Sequence, residues 1–243
     1  MPVFKDTITT ADGTCAVTVA TTEGTGPWPA VVMYPDAGGP RQTFDDMAAR
    51  LAALGYVVLV PDMYYRDAGW APFDMATAFS DETERTRLFG LMRKVTQDVM
   101  VADAGAFFDY LARRTDVQGD KFGTTGYCMG GPYTVRTAHA LRDRVRAAAS
   151  FHGASLVTDK PDSPHLLLKA TKASYLFAIA RNDDARTPGD KDALRAAAKA
   201  AGRAAEVEVY PADHGWCTID APVYDKVQAE RAWARMLALF RTL

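Results

Sequence analysis

The chain has 243 residues, of which 48% are hydrophobic and 24% charged, and its formal net charge is −2 at pH 7. This is ordinary globular composition, long enough to bury a core without staples. The balanced charge excludes a strongly basic surface for nucleic acid or membranes, and no apolar run approaches the roughly 18 residues of a membrane span.

Two alternating segments, Val3 to Thr9 and Thr14 to Ala20, flank Asp12-Gly13 and predict an antiparallel hairpin. Ala30 to Tyr34 is a continuous apolar run, the form of a strand buried on both faces. Phe44, Met47, Leu51 and Leu54 recur at helical spacing and Gly55 closes that helix. A second buried strand, Tyr56 to Val60, is followed by an irregular aromatic stretch from Met63 to Ser80 and two helical stretches to about Arg114. In the second of these, Val95, Val99, Ala102, Ala106 and Tyr110 are expected on the packed face. Lys121 to Gly126 predicts a strand and Gly130 to Arg142 a helix, with Pro132 tolerated in its first turn. Arg146 to Phe151, Ser174 to Ala180 and Glu206 to Tyr210 are further strand candidates, and Asp190 to Ala201 is a helix by alanine content. A last helix carries Tyr224, Val227, Trp233, Met236, Leu237 and Phe240 on one side. With no repeat and no low-complexity linker, residues 1–243 are expected to form a single α/β domain. Its sheet, of about eight strands, is expected to be mostly parallel, with helices on both faces and the hairpin at one edge.

There are three cysteines, Cys15, Cys128 and Cys217, and four histidines. That odd, sparse count suits a reducing cytoplasm rather than a disulfide framework. The first residues show no apolar segment after a basic one, so no secretory signal is expected. With no Cys-x-x-Cys pair, neither a metal nor another cofactor is expected.

In parallel sheets, chemistry gathers where strands end. Gly126-Tyr127-Cys128-Met129-Gly130 follows a strand and opens a helix, as the G-x-S-x-G elbow does, with Cys in place of Ser. The turn is too tight for side chains beside the nucleophile. The helix N-terminus below the sulfur favours thiolate, and the Met129 N–H is one oxyanion donor. The elbow implies the order nucleophile, acid, histidine. His214, after the last strand, is the preferred base, with His152 the alternative; His139 falls within a helix and His165 in a Pro-containing loop. Asp183 is the preferred acid, with Asp184 left open. Ala37, after the first buried strand, is the candidate second oxyanion donor. Asp36 beside it is either a turn residue or a carboxylate acting on the thiol.

These residues resemble the dienelactone hydrolase family of α/β-hydrolases over most of the chain. The resemblance rests on Gly126-Tyr127-Cys128-Met129-Gly130-Gly131, Val60-Pro61-Asp62-Met63-Tyr64, the Asp183 region and His214-Gly215-Trp216. It implies the α/β-hydrolase fold, Cys128 as nucleophile, His214 as base, Asp183 as its partner and backbone donors at Ala37 and Met129. It also implies that Asp36 takes up the thiol proton. The best-known members carry an arginine shortly after the histidine, whereas Gly215, Trp216, Cys217 and Thr218 follow here; Arg41, Arg66 and Arg181 are candidate substitutes. Tyr64 and Trp216 are candidate substrate contacts. The expected activity is cleavage of a small activated ester or enol lactone through an acyl-cysteine, by a monomer or homodimer with no nucleic-acid or membrane partner. Alternatives are an acyl transferase on the same triad and a non-catalytic binding protein of the same fold.

Overall fold

A computed structural model describes residues 2–243. Its eight strands form a mostly parallel sheet with an antiparallel hairpin at its N-terminal end. The residues divide into two compact units, 1–122 and 123–243.

In the first unit, β1 (Val3–Thr10) and β2 (Gly13–Ala20) pair antiparallel, with Thr10 opposite Gly13. Gly13 closes the turn at φ +139°, a conformation side chains resist. β3 (Ala30–Tyr34) precedes α1 (Gln42–Ala52) and β4 (Val57–Pro61). The order is β1-β2-β4-β3, with β3 and β4 parallel. Every residue of β3 and β4 is buried, which is why both read as unbroken apolar runs rather than alternations. α1 buries Phe44, Ala48 and Leu51, and the chain leaves it through Gly55 at φ +90°.

α2 (Glu82–Lys94) starts on Asp81, whose carboxylate accepts the Glu84 N–H at 2.8 Å, and α3 (Gln97–Ala112) starts on Thr96. Here the expected packing face is corrected. α3 buries Met100, Asp103, Ala104, Phe107, Phe108 and Leu111, while Ala102 is exposed and Val99, Ala106 and Tyr110 are only half-buried. The larger aromatic area of Phe107 and Phe108 sets the rotation of the helix. Asp103 rides along because Arg66 clamps it with bonds of 2.7 and 2.8 Å and Tyr65 donates to it at 3.0 Å.

In the second unit the strand order is β5 (Phe122–Tyr127), β6 (Val145–Phe151), β7 (Ser174–Ala180) and β8 (Ala205–Tyr210). α4 (Gly130–Ala140) follows β5, and a short helix α5 (Pro164–Leu167) lies between β6 and β7. α6 (Arg181–Arg186) starts at the residue after β7 and leads to α7 (Asp190–Ala200). The chain ends in α8 (Lys226–Phe240), capped by Asp225. α8 buries Ala232, Trp233, Met236 and Phe240; Val227, expected on that face, is 72% exposed. No helix of the described residues is long and apolar enough to cross a membrane.

Register brings the strand ends together. Ala180, the last residue of β7, lies opposite Tyr210, the last of β8, and Phe151 of β6 lies opposite Ala178. The segments leaving β6, β7 and β8 therefore start side by side.

Candidate active site

Cys128 sits between β5 and α4 with φ +52°. For a residue with a side chain this left-handed bend costs roughly 1–2 kcal/mol, so neighbouring contacts must hold it. A Cβ on Gly126 would lie 2.1 Å from the Gly130 carbonyl oxygen, so glycine is required there. A Cβ on Gly131 would lie 2.5 Å from the Cα of Gly153 and 2.6 Å from the Ser150 hydroxyl. The glycine after the elbow thus lets α4 approach the end of β6 backbone to backbone.

The Cys128 backbone is held on both sides by that β6 exit. Its N–H donates to the Phe151 carbonyl at 3.0 Å and to His152 Nδ1 at 3.1 Å. Its carbonyl accepts the N–H groups of Gly131 at 3.1 Å and Ala154 at 3.2 Å. His152 is itself left-handed, at φ +39°, and 1% exposed.

His214 reaches Cys128 from the loop after β8. Its Nδ1–H donates to Asp183 Oδ2 at 2.7 Å, and Cys128 lies near enough to act on its ring. Its backbone N–H donates to the Asn182 side chain at 2.9 Å. Burial alone would depress the imidazole. The hydrogen bonds to Asp183 and Cys128, with the charges of both, outweigh it and push His214 from 6.5 up to about 10. His152, 4.8 Å away between ring centres, goes the other way: burial first, then the neighbouring His214, hold it well below 6.5.

Asp183 and Cys128 thus both act on the His214 ring, in one line of side chains. Asp184, one residue on, turns instead to Lys191, with contacts of 2.7 and 2.9 Å. A cavity of about 270 Å³ beside this line is lined by Gly153, Leu156, Ile179, Asp183, Lys191 and His214. His139 is exposed at the end of α4, and His165 bonds Ser163 at 2.7 Å. Cys217 and Cys15 are raised, chiefly by burial, and so remain thiols. Among the described residues no group of His, Cys, Asp or Glu has a metal-binding arrangement.

Several expected residues have other local roles. The Asp36 carboxylate is gripped by Arg41 at 2.7 and 3.0 Å and accepts the Gly38 N–H at 2.9 Å. Arg41 is thereby engaged as well; Arg66 binds Asp12 and Asp103, and Arg181 binds Asp213. Ala37 is buried, and its carbonyl accepts the Tyr64 hydroxyl at 2.6 Å. Tyr64 and Trp216, the expected substrate contacts, are buried, at 1% and 0% exposure. Tyr64 packs edge-on against Trp70, and Trp216 stacks on Tyr210 and meets the His152 ring at 5.1 Å.

Asn182 and the His152 clamp are not anticipated in these roles. The signals were present: a polar side chain directly after a buried strand, and a His-Gly pair at the end of the strand next to the elbow. Only the register of β5 to β8 gives them meaning.

The dienelactone hydrolase family model matches residues 15–243. The chain is 30% identical over 222 residues to the "Putative carboxymethylenebutenolidase" of Escherichia coli (strain K12), covering 89% of this chain and 78% of that protein. It is 24% identical over 218 residues to the carboxymethylenebutenolidase of Pseudomonas sp. (strain P51), covering 90% and 86%. The crystal structure of the "Putative Dienelactone Hydrolase" from Klebsiella pneumoniae subsp. pneumoniae MGH 78578 superposes with a TM-score of 0.83 at 24% identity, covering 100% and 99%. The chain belongs to the dienelactone hydrolase family, hydrolases of the α/β-hydrolase fold.

Proposed function

We propose that this hydrolase cleaves activated esters or enol lactones through an acyl-enzyme on Cys128, with His214 as proton carrier and Asp183 as its orienting partner. The observation that carries this reading is one imidazole that is hydrogen-bonded to a carboxylate at 2.7 Å and acted on by a cysteine held at a strained bend. His214 takes the Cys128 proton, and the sulfur attacks as thiolate. The tetrahedral oxyanion is taken by the N–H of Met129.

That intermediate can lose either sulfur or oxygen. Thiolate leaves easily, so a simple alkoxide loses the competition, while an enolate or phenolate does not. This is the physical reason for assigning activated esters and enol lactones rather than alkyl esters or amides. His214 Nε2–H protonates the departing oxygen. Acylation also removes the sulfur's charge, one of the causes that raise His214, so the imidazole falls back toward its ordinary range. It can then take a proton from the water that hydrolyses the thioester. Asp183 keeps the Nδ1–H tautomer throughout and stabilises the imidazolium.

The test is turnover of an aryl ester and a dienelactone by wild type and Cys128→Ala. We expect a loss of at least about 100-fold on both. Retained turnover would remove the sulfur from the reaction.

A further inference from the structure

His152 takes no part in that sequence of steps, yet it is among the most constrained residues of the second unit. It is 1% exposed, has a left-handed backbone, and packs its ring against His214, Trp216 and, at 6.2 Å, Tyr127. Its Nδ1 accepts the Cys128 N–H, which requires a lone pair there and places the ring proton on Nε2. Nε2 is buried and has no hydrogen-bond partner among the described residues. This arrangement also rules His152 out as the base: its only lone pair is already engaged by the Cys128 backbone.

The Cys128 N–H points between two acceptors, the Phe151 carbonyl and the His152 ring, both on the β6 exit. One acceptor leaves the N–H free to swing; two fix the plane of the bend, and with it the direction of the Cα–Cβ bond. A carboxylate at 152 would also accept, but would put a negative charge beside a sulfur that must itself be negative. A protonated ring would lose the acceptor and set a second cation against His214.

We propose that His152 is a positioning residue for the nucleophile: as a permanently neutral Nε2–H imidazole, it holds the Cys128 N–H so that the sulfur faces His214, without adding a charge to the site. The proposal rests on the reading of Cys128 as nucleophile. The titratable groups facing the ring are Cys128 at the elbow, His214 from the loop after β8 and Tyr127 at the end of β5.

The experiment compares His152→Phe, which keeps an aromatic ring but has no acceptor, with His152→Asn, whose Oδ1 can accept and whose backbone tolerates positive φ. Two readouts are taken: steady-state kinetics on 4-nitrophenyl acetate, and the pH dependence of Cys128 alkylation by iodoacetamide. For His152→Phe we expect kcat to fall at least about tenfold with KM within about threefold, and the acid limb of alkylation to move to higher pH. For His152→Asn we expect both within about threefold of wild type. The proposal is overturned if His152→Phe matches wild type in kcat and alkylation, or if His152→Asn falls as far as His152→Phe. Nitrogen NMR of histidine-labelled wild type decides the protonation state even where a variant does not fold. His152 is expected to stay a neutral Nε2–H tautomer from about pH 5 to 8, and a titration near 6.5 would overturn the proposal. If Cys128→Ala retains turnover, the catalytic reading fails on its own, while the alkylation and NMR results still judge His152.

Discussion

His214 is pulled in two directions, and the outcome sets its chemistry. Desolvation disfavours the charged ring, but Asp183 at 2.7 Å and the Cys128 sulfur more than offset it, leaving the imidazole protonated up to about 10. A group raised from 6.5 in the folded state contributes stability that is complete below 6.5 and is lost as pH rises through about 10. The urea midpoint of wild type should therefore fall more over that window than that of His214→Gln; parallel profiles would contradict the shift. Asp183→Asn should lower kcat at least about 100-fold, because the amide no longer fixes the Nδ1–H tautomer. Asp184→Asn should stay within about twofold, since that carboxylate faces Lys191. The sequence preferred Asp183 as the acid and left Asp184 open. Which one meets His214 depends on the first turn of α6, a six-residue helix with no caps or periodicity to announce it.

At the scale of elements, the junction of α4 with the end of β6 decides whether the nucleophile can be presented at all. Gly131 and Gly153 touch backbone to backbone, and the Ser150 hydroxyl fills the remaining space. Gly131→Ala forces a Cβ to within 2.5 Å of a Cα that cannot move without shifting β6. It should cost about 1–3 kcal/mol in urea unfolding and lower turnover with it. Gly105→Ala in the middle of α3 meets nothing within 4 Å and should raise stability by about 0.5–1 kcal/mol. The elbow glycines were legible because the motif carries them. The partner glycine was not, because the sequence separation from Gly131 to Gly153 gives no hint of contact.

At the scale of the molecule, the first unit is tied together by a buried charge that no periodicity announces. Asp103 of α3 is 1% exposed and is held by Arg66 and Tyr65 of the irregular segment after β4. Removing Asp103 leaves Arg66 with the exposed Asp12 as its remaining counter-ion and takes away one partner of the Tyr65 hydroxyl. Asp103→Ala should destabilise by about 1–3 kcal/mol with an unchanged denaturant slope, read from urea unfolding. A change below about 0.5 kcal/mol would mean that water replaces the pair.

Most strand and helix positions, the hairpin and the elbow were legible in the sequence alone, because they depend on local signals: hydrophobic period, glycine in tight turns, caps and strand-end chemistry. The tertiary structure alone decided which face of α3 is buried and that Tyr64 and Trp216 are buried. It also decided that Asp36 belongs to Arg41 and that His152 grips the elbow. Each of these is a competition among residues distant along the chain for the same space or the same hydrogen bond, and strand register settles it.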